Sequence, residues 1–103
     1  MVGIDRYLAI DWGSVKLGIA VSDPFNSYGI PLDSLKNDAD LFNNLFKLLL
    51  EKKITNIVIG LPLMQDGKET ATSIKINQFI DSLTSEISQR SLSIKIYTID
   101  ESY

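Results

Sequence analysis

Short apolar runs separated by polar turns alternate along this chain with two longer stretches of helical period. Residues 6–11 and 16–22 read as two strands joined by a short glycine-containing turn, a hairpin signal. The first is apolar on both faces, which predicts a central, covered strand. Residues 27–32 predict a third strand at a sheet edge, because Pro31 has no N–H to give to a central ladder. Within 37–53, Leu41, Leu45, Leu48 and Leu49 recur at helical spacing. Asn37 or Asp38 can cap that helix, and Lys52 and Lys53 sit at the end that favours cations. A fourth strand is expected over 54–60, followed by a loop through the Asp66-Gly67 turn. A second helix over 71–89 has Ile74, Phe79, Ile80, Leu83 and Ile87 as its apolar stripe, and a fifth strand covers 93–99.

The order β-β-β-α-β-α-β combines an antiparallel opening hairpin with a strand–helix–strand–helix–strand run, which implies parallel pairing through right-handed crossovers. In open α/β sheets, sites form at the carboxyl ends of the strands. Three segments fall there: Asp11, the Gly60-Leu61-Pro62 turn, and Asp100-Glu101. Asp11 closes the run Leu8-Ala9-Ile10, where a carboxylate is costly to bury unless it is paired or holds a cation. A turn cap or a pairing with Lys16 is the plainer role for it. Asp23-Pro24 and Asp66-Gly67 read as turn chemistry, and Trp12 reads as a packed or rim tryptophan that could also stack on a base.

Composition narrows the chemistry. The chain has 103 residues, no cysteine and no histidine. Disulfides, thiolate metal sites and imidazole catalysis are therefore excluded. Any metal must be a hard cation on oxygen ligands, with Mg²⁺ or Mn²⁺ the natural choices. No run approaches the ~18 apolar residues of a membrane span, and the charged Asp5-Arg6 pair does not suit a secretion signal. A soluble, cytoplasmic protein is expected. The net charge of -3 mildly opposes nucleic-acid binding.

Three motifs nevertheless appear together. Ile10-Asp11-Trp12-Gly13 runs into Leu17-Gly18-Ile19-Ala20-Val21-Ser22-Asp23-Pro24. Gly60-Leu61-Pro62-Leu63-Met64-Gln65-Asp66-Gly67 follows, and then Asp100-Glu101-Ser102-Tyr103. In this order and spacing they resemble the YqgF/RuvX family, small RNase H-like proteins described as Holliday-junction resolvases and pre-16S rRNA nucleases. The resemblance covers essentially the whole chain. It implies a single α/β domain over 1–103 of the RNase H-like fold, a mixed five-stranded sheet with helices on both faces. The family continues past the Asp-Glu motif into a last helix carrying another metal-binding Asp. The resemblance therefore implies that the C-terminal helix is missing here, leaving an apolar patch on the sheet for a partner or a second copy.

By the same resemblance, Asp11 and Glu101 would be the catalytic metal ligands for Mg²⁺ or Mn²⁺, with Asp100 assisting. Gly13, Lys16 and Trp12 would contact nucleic acid. Gly13 would let the backbone approach metal or phosphate closely, and the family's basic pair is reduced to Val15-Lys16. The activity implied is metal-dependent cleavage of structured nucleic acid, most naturally 5′-end processing of a pre-16S rRNA precursor. Resolution of branched DNA is the alternative, as is a non-catalytic relative that binds nucleic acid or protein. An Asp-x-Gly-Ser hairpin also occurs in sugar-kinase and actin-like ATPases, but 103 residues cannot supply the two domains that close their nucleotide cleft.

Overall fold

The computed structural model describes residues 5–23, 28–62 and 70–101, with side chains through Ile99. Pro24, Ser27 and the Asp66-Gly67 turn lie outside the described residues. The elements are β1 (Tyr7–Asp11), β2 (Lys16–Ser22), β3 (Gly29–Lys36), α1 (Leu41–Glu51), β4 (Asn56–Pro62), α2 (Ala71–Gln89) and β5 (Lys95–Glu101). They form one five-stranded sheet in the order β3-β2-β1-β4-β5. β1–β2 and β2–β3 are antiparallel, and β1–β4 and β4–β5 are parallel. The mixed sheet and the edge position of β3 match the expectation, with Pro31 on that edge strand.

The core is a single cluster. Leu8, Ile10, Leu17, Ile19, Val21, Ile57 and Ile59 point from the sheet to one side, where they meet Leu41, Leu45, Phe46 and Leu49 of α1 and Ile76, Phe79, Leu83 and Ile87 of α2. The helices also touch each other there, with the Phe42 and Phe79 rings stacked at 5.8 Å. Arg90 closes the far end of this layer, its guanidinium 4.3 Å from the Phe46 ring centroid.

Both described helices therefore lie on the same face, whereas helices on both faces were expected. β1 is central, but only Leu8 and Ile10 are covered. Its alternate residues Tyr7, Ala9 and Asp11 are exposed on the second face. Ile74 also departs from expectation: it is exposed, and Ser73 and Ile76 are buried in its place.

Element ends moved for identifiable reasons. β3 runs to Lys36, four residues beyond the expected end, because pairing with β2 continues from Gly29 opposite Ser22 to Lys36 opposite Lys16. Asp33 and Ser34, poor strand formers, have no register partner, and pairing resumes beyond them at Leu35. An irregularity in register between Leu17 and Ile19 absorbs the offset. Asn37 consequently does not cap α1. Its backbone N–H donates to the Val15 carbonyl at 2.9 Å, and its side-chain amide donates to the Gly13 carbonyl at 2.8 Å. Asp38 folds into a local turn by accepting from the Asp40 N–H at 3.0 Å, and the helix starts at Leu41. α2 begins as expected, with Thr70 Oγ1 accepting from the Ser73 N–H at 3.0 Å.

Both helices end alike. Lys53 and Ser91 adopt left-handed φ values of 55° and 54°. The N–H of the following residue closes the turn: Ile54 donates to the Leu49 carbonyl at 2.9 Å, and Leu92 donates to that of Ile87 at 3.1 Å.

Candidate active site

β1, β3, β4 and β5 all run the same way, so their carboxyl ends share one edge of the sheet. The turn from β1 into β2 occupies its middle. A Cβ built on Gly13 would stand 2.5 Å from the Lys16 carbonyl oxygen, so only glycine lets the chain reverse this tightly. Gly13 thus serves the turn, and its carbonyl is engaged by Asn37.

That turn leaves Asp11 as the last residue of β1, exposed on the open face of the sheet. Its neighbours are glycines. Asp11 lies opposite Gly18, where an added Cβ would stand 3.3 Å from Asp11 Cβ and 3.9 Å from Oδ2. On the other side Ile10 pairs with Ile59, which brings Gly60 alongside Asp11. Asp11, Gly18, Gly60 and Ile99 line one shallow depression of about 310 Å³. It shares Ala9, Ala20 and Val58 with a second one of about 320 Å³ that extends to Tyr7 and Tyr28.

Among the described residues the Asp11 carboxylate has no hydrogen-bond donor and no cation beside it; Arg90 and Glu86 pair at 3.2 Å, far along α2. Neither the turn-cap role nor the pairing with Lys16 is present. The negative charge costs little while it stays in water.

β5 extends the same edge. Gly60 pairs with Ile99, Leu61 with Asp100 and Pro62 with Glu101. The Asp-Glu motif therefore belongs to the sheet, two positions further into strand than expected, at the same edge as Asp11. The side chains of Asp100 and Glu101 are outside the described residues. Among those described, no three acidic side chains form a cation cage. Asp11 offers the hard oxygen donor and the open space that Mg²⁺ or Mn²⁺ requires, but one carboxylate is not a complete site.

The other expected contacts separate. Lys16 is exposed and shares the open face with Gly18 and Asp11. Trp12 turns to the opposite side, half-buried against the core. It lines a groove of about 390 Å³ with Asn37, Leu41, Phe42, Lys75 and Phe79, between the start of α1 and the first half of α2. Two further residues come to this site: Lys36, beyond the expected end of β3, and Asn37, expected as a helix cap. Only the length of β3 brings them to this edge.

A model of the RuvX family, described as Holliday junction resolvase, matches residues 5–103. The chain belongs to the RuvX family. Named relatives agree. The chain is 36% identical over 100 residues to a "Putative pre-16S rRNA nuclease" of Sulfurihydrogenibium sp. (strain YO3AOP1), covering 97% of this chain and 67% of the relative. A protein of the same name from Maridesulfovibrio salexigens is 33% identical over 99 residues, covering 93% and 69%. Among solved structures, T. thermophilus RuvC in complex with a Holliday junction substrate superposes with a TM-score of 0.65 at 10% identity, covering 94% of this chain and 65% of that one. The RuvX chain thus has the RNase H-like fold of RuvC and spans about two thirds of the length of these relatives. None of its described helices is long and apolar enough to cross a membrane.

Proposed function

We propose that this RuvX-family chain carries the catalytic edge of a metal-dependent endonuclease of structured nucleic acid, working in the cytoplasm on the 5′ end of a pre-16S rRNA precursor. The observation that carries the reading is Asp11, an exposed carboxylate at the end of the central strand, unpaired among the described residues and kept clear on both sides by Gly18 and Gly60. The carboxylate lines an open depression of about 310 Å³ with room for a ligand beside it. Asp11 and Glu101, with Asp100 beside it, are the proposed ligands of Mg²⁺ or Mn²⁺. When bound, such an ion supplies charge stabilisation to the phosphodiester oxygens and a lowered pKa for the attacking water.

The protein's own contribution is placement. Asp11 is fixed by the sheet on one side and by the Gly13 turn on the other. The two flanking glycines leave the strand surface flat, so a sugar-phosphate backbone can come close to the carboxylate without meeting a side chain. The pre-16S rRNA reading comes from the names of the relatives, and the branched-DNA reading comes from the family description and the RuvC likeness.

The test is cleavage of a labelled pre-16S rRNA leader and of a four-way DNA junction, each with Mn²⁺, by the natural protein and by Asp11→Asn. That variant keeps the shape and removes the charge. Metal-dependent cleavage of the RNA, lost in Asp11→Asn by a factor of ~10³ or more, is the expected result. Cleavage of the junction alone moves the substrate to branched DNA. Binding without cleavage of either substrate overturns the nuclease reading in favour of a non-catalytic relative.

A further inference from the structure

Two lysines stand directly opposite each other at the end of the outer hairpin. Lys16 of β2 and Lys36 of β3 are register partners, and both are exposed. Like charges in opposed positions of an antiparallel pair destabilise it. Among the described residues neither lysine has a carboxylate within ion-pairing distance. The repulsion therefore persists in a chain whose overall charge is -3.

Their face is fixed by their neighbours. Leu17 is fully buried under the helices, and its partner Leu35 packs against the same core. Strand alternation then sends Lys16 and Lys36 to the other side, the open face that carries Asp11. Lys16 is two residues along β2 from Gly18, the partner of Asp11. At ~3.4 Å per residue and ~5 Å between strands, its Cα is roughly 8 Å from that of Asp11. The geometry is held from below. Asn37, next to Lys36, ties the end of β3 to Val15 and Gly13 within the turn that ends β1.

We infer that Lys16 and Lys36 form a clamp for a single phosphate of a nucleic-acid strand, the neighbour of the phosphodiester presented to Asp11. The inference rests on the nuclease reading for its substrate class. A phosphate between the two ammonium groups turns their mutual repulsion into a shared attraction, and the short reach from Lys16 to Asp11 suits adjacent phosphates of one strand. The contact is to backbone, so it adds affinity and register and carries no base preference. The competing role for these lysines is protection of the β3 edge against strand addition.

Lys36→Glu separates the two, because it creates a cross-strand ion pair with Lys16. Binding of fluorescent RNA and DNA strands is measured by anisotropy without divalent metal, so cleavage plays no part. Lys47→Glu, on an exposed turn of α1, controls for the same change in net charge. For a clamp, Lys36→Glu raises the thermal midpoint by about 1–4 °C. It also weakens binding by about tenfold or more on every sequence, and reduces the slope of log affinity against log salt by about one. Lys47→Glu leaves that slope unchanged. A stabilised Lys36→Glu with unchanged affinity and slope overturns the clamp and leaves edge protection. Strong, Lys36-dependent binding by a protein that cleaves nothing with Mn²⁺ overturns the nuclease reading and keeps the clamp.

Discussion

Leu8, Ile10, Leu17, Ile19, Ile57 and Ile59 point from the sheet toward the helices, and Ala9, Asp11, Gly18, Ala20, Val58 and Gly60 point from the same strands the other way. The covered side uses branched, bulky residues that fill space between layers, as a close-packed core demands. The open side is flat, built largely of small residues around Asp11, with Tyr7, Tyr28, Tyr97 and Ile99 toward its margins. Strand alternation forces each residue to choose between these surfaces, so packing and chemistry can be specified independently within five residues of β1. The difference explains why an unpaired charge is tolerated one position from a residue that is 2% exposed.

The sharpest way to break this comparison is to make one substitution on each side. Ile59 is fully buried, whereas Ile99, one strand away, is 55% exposed. Ile59→Ala is expected to cost about 2–5 kcal/mol in urea or thermal unfolding. Ile99→Ala should stay within about 0.5 kcal/mol. A comparable loss at both positions would mean that something covers the open face in solution, and sedimentation would then show whether it is a second copy.

The next effect concerns the turn joining the two surfaces. Gly13→Ala places a methyl group against the Lys16 carbonyl, a backbone atom that cannot rotate away. A loss of about 1–3 kcal/mol is expected, accompanied by loss of any Asp11-dependent cleavage. Full stability in this variant would show that the turn is looser than the 2.5 Å approach implies. The smallest effect tests how the covering layer is anchored. Lys53 ends α1 at φ 55°, where an L-residue is strained. Lys53→Gly should therefore raise stability by about 0.5–1 kcal/mol, because the relieved strain exceeds the extra chain entropy of glycine.

The element order, the two helical segments and the location of Asp11 at a strand end were legible from local pattern, since alternation and helical period need only a few neighbouring residues. The Asp-x-Gly, Gly-Leu-Pro and Asp-Glu motifs likewise pointed to one family and to one edge of the sheet. Errors of extent arose where a distant strand intervened. β3 resumed pairing at Leu35, past the irregularity at Asp33 and Ser34, and thereby took Asn37 out of α1 and set Lys36 opposite Lys16.

The sequence by itself determined which residues alternate, where the chain turns and which carboxylates close the strands. Only the tertiary structure decided which alternate face the helices cover, and that Asp11 stands between Gly18 and Gly60 rather than against Lys16. The physical reason is range. Propensity and periodicity act over a turn or a pleat, whereas the covered face and the cross-strand neighbours depend on crossovers and register that link residues tens of positions apart.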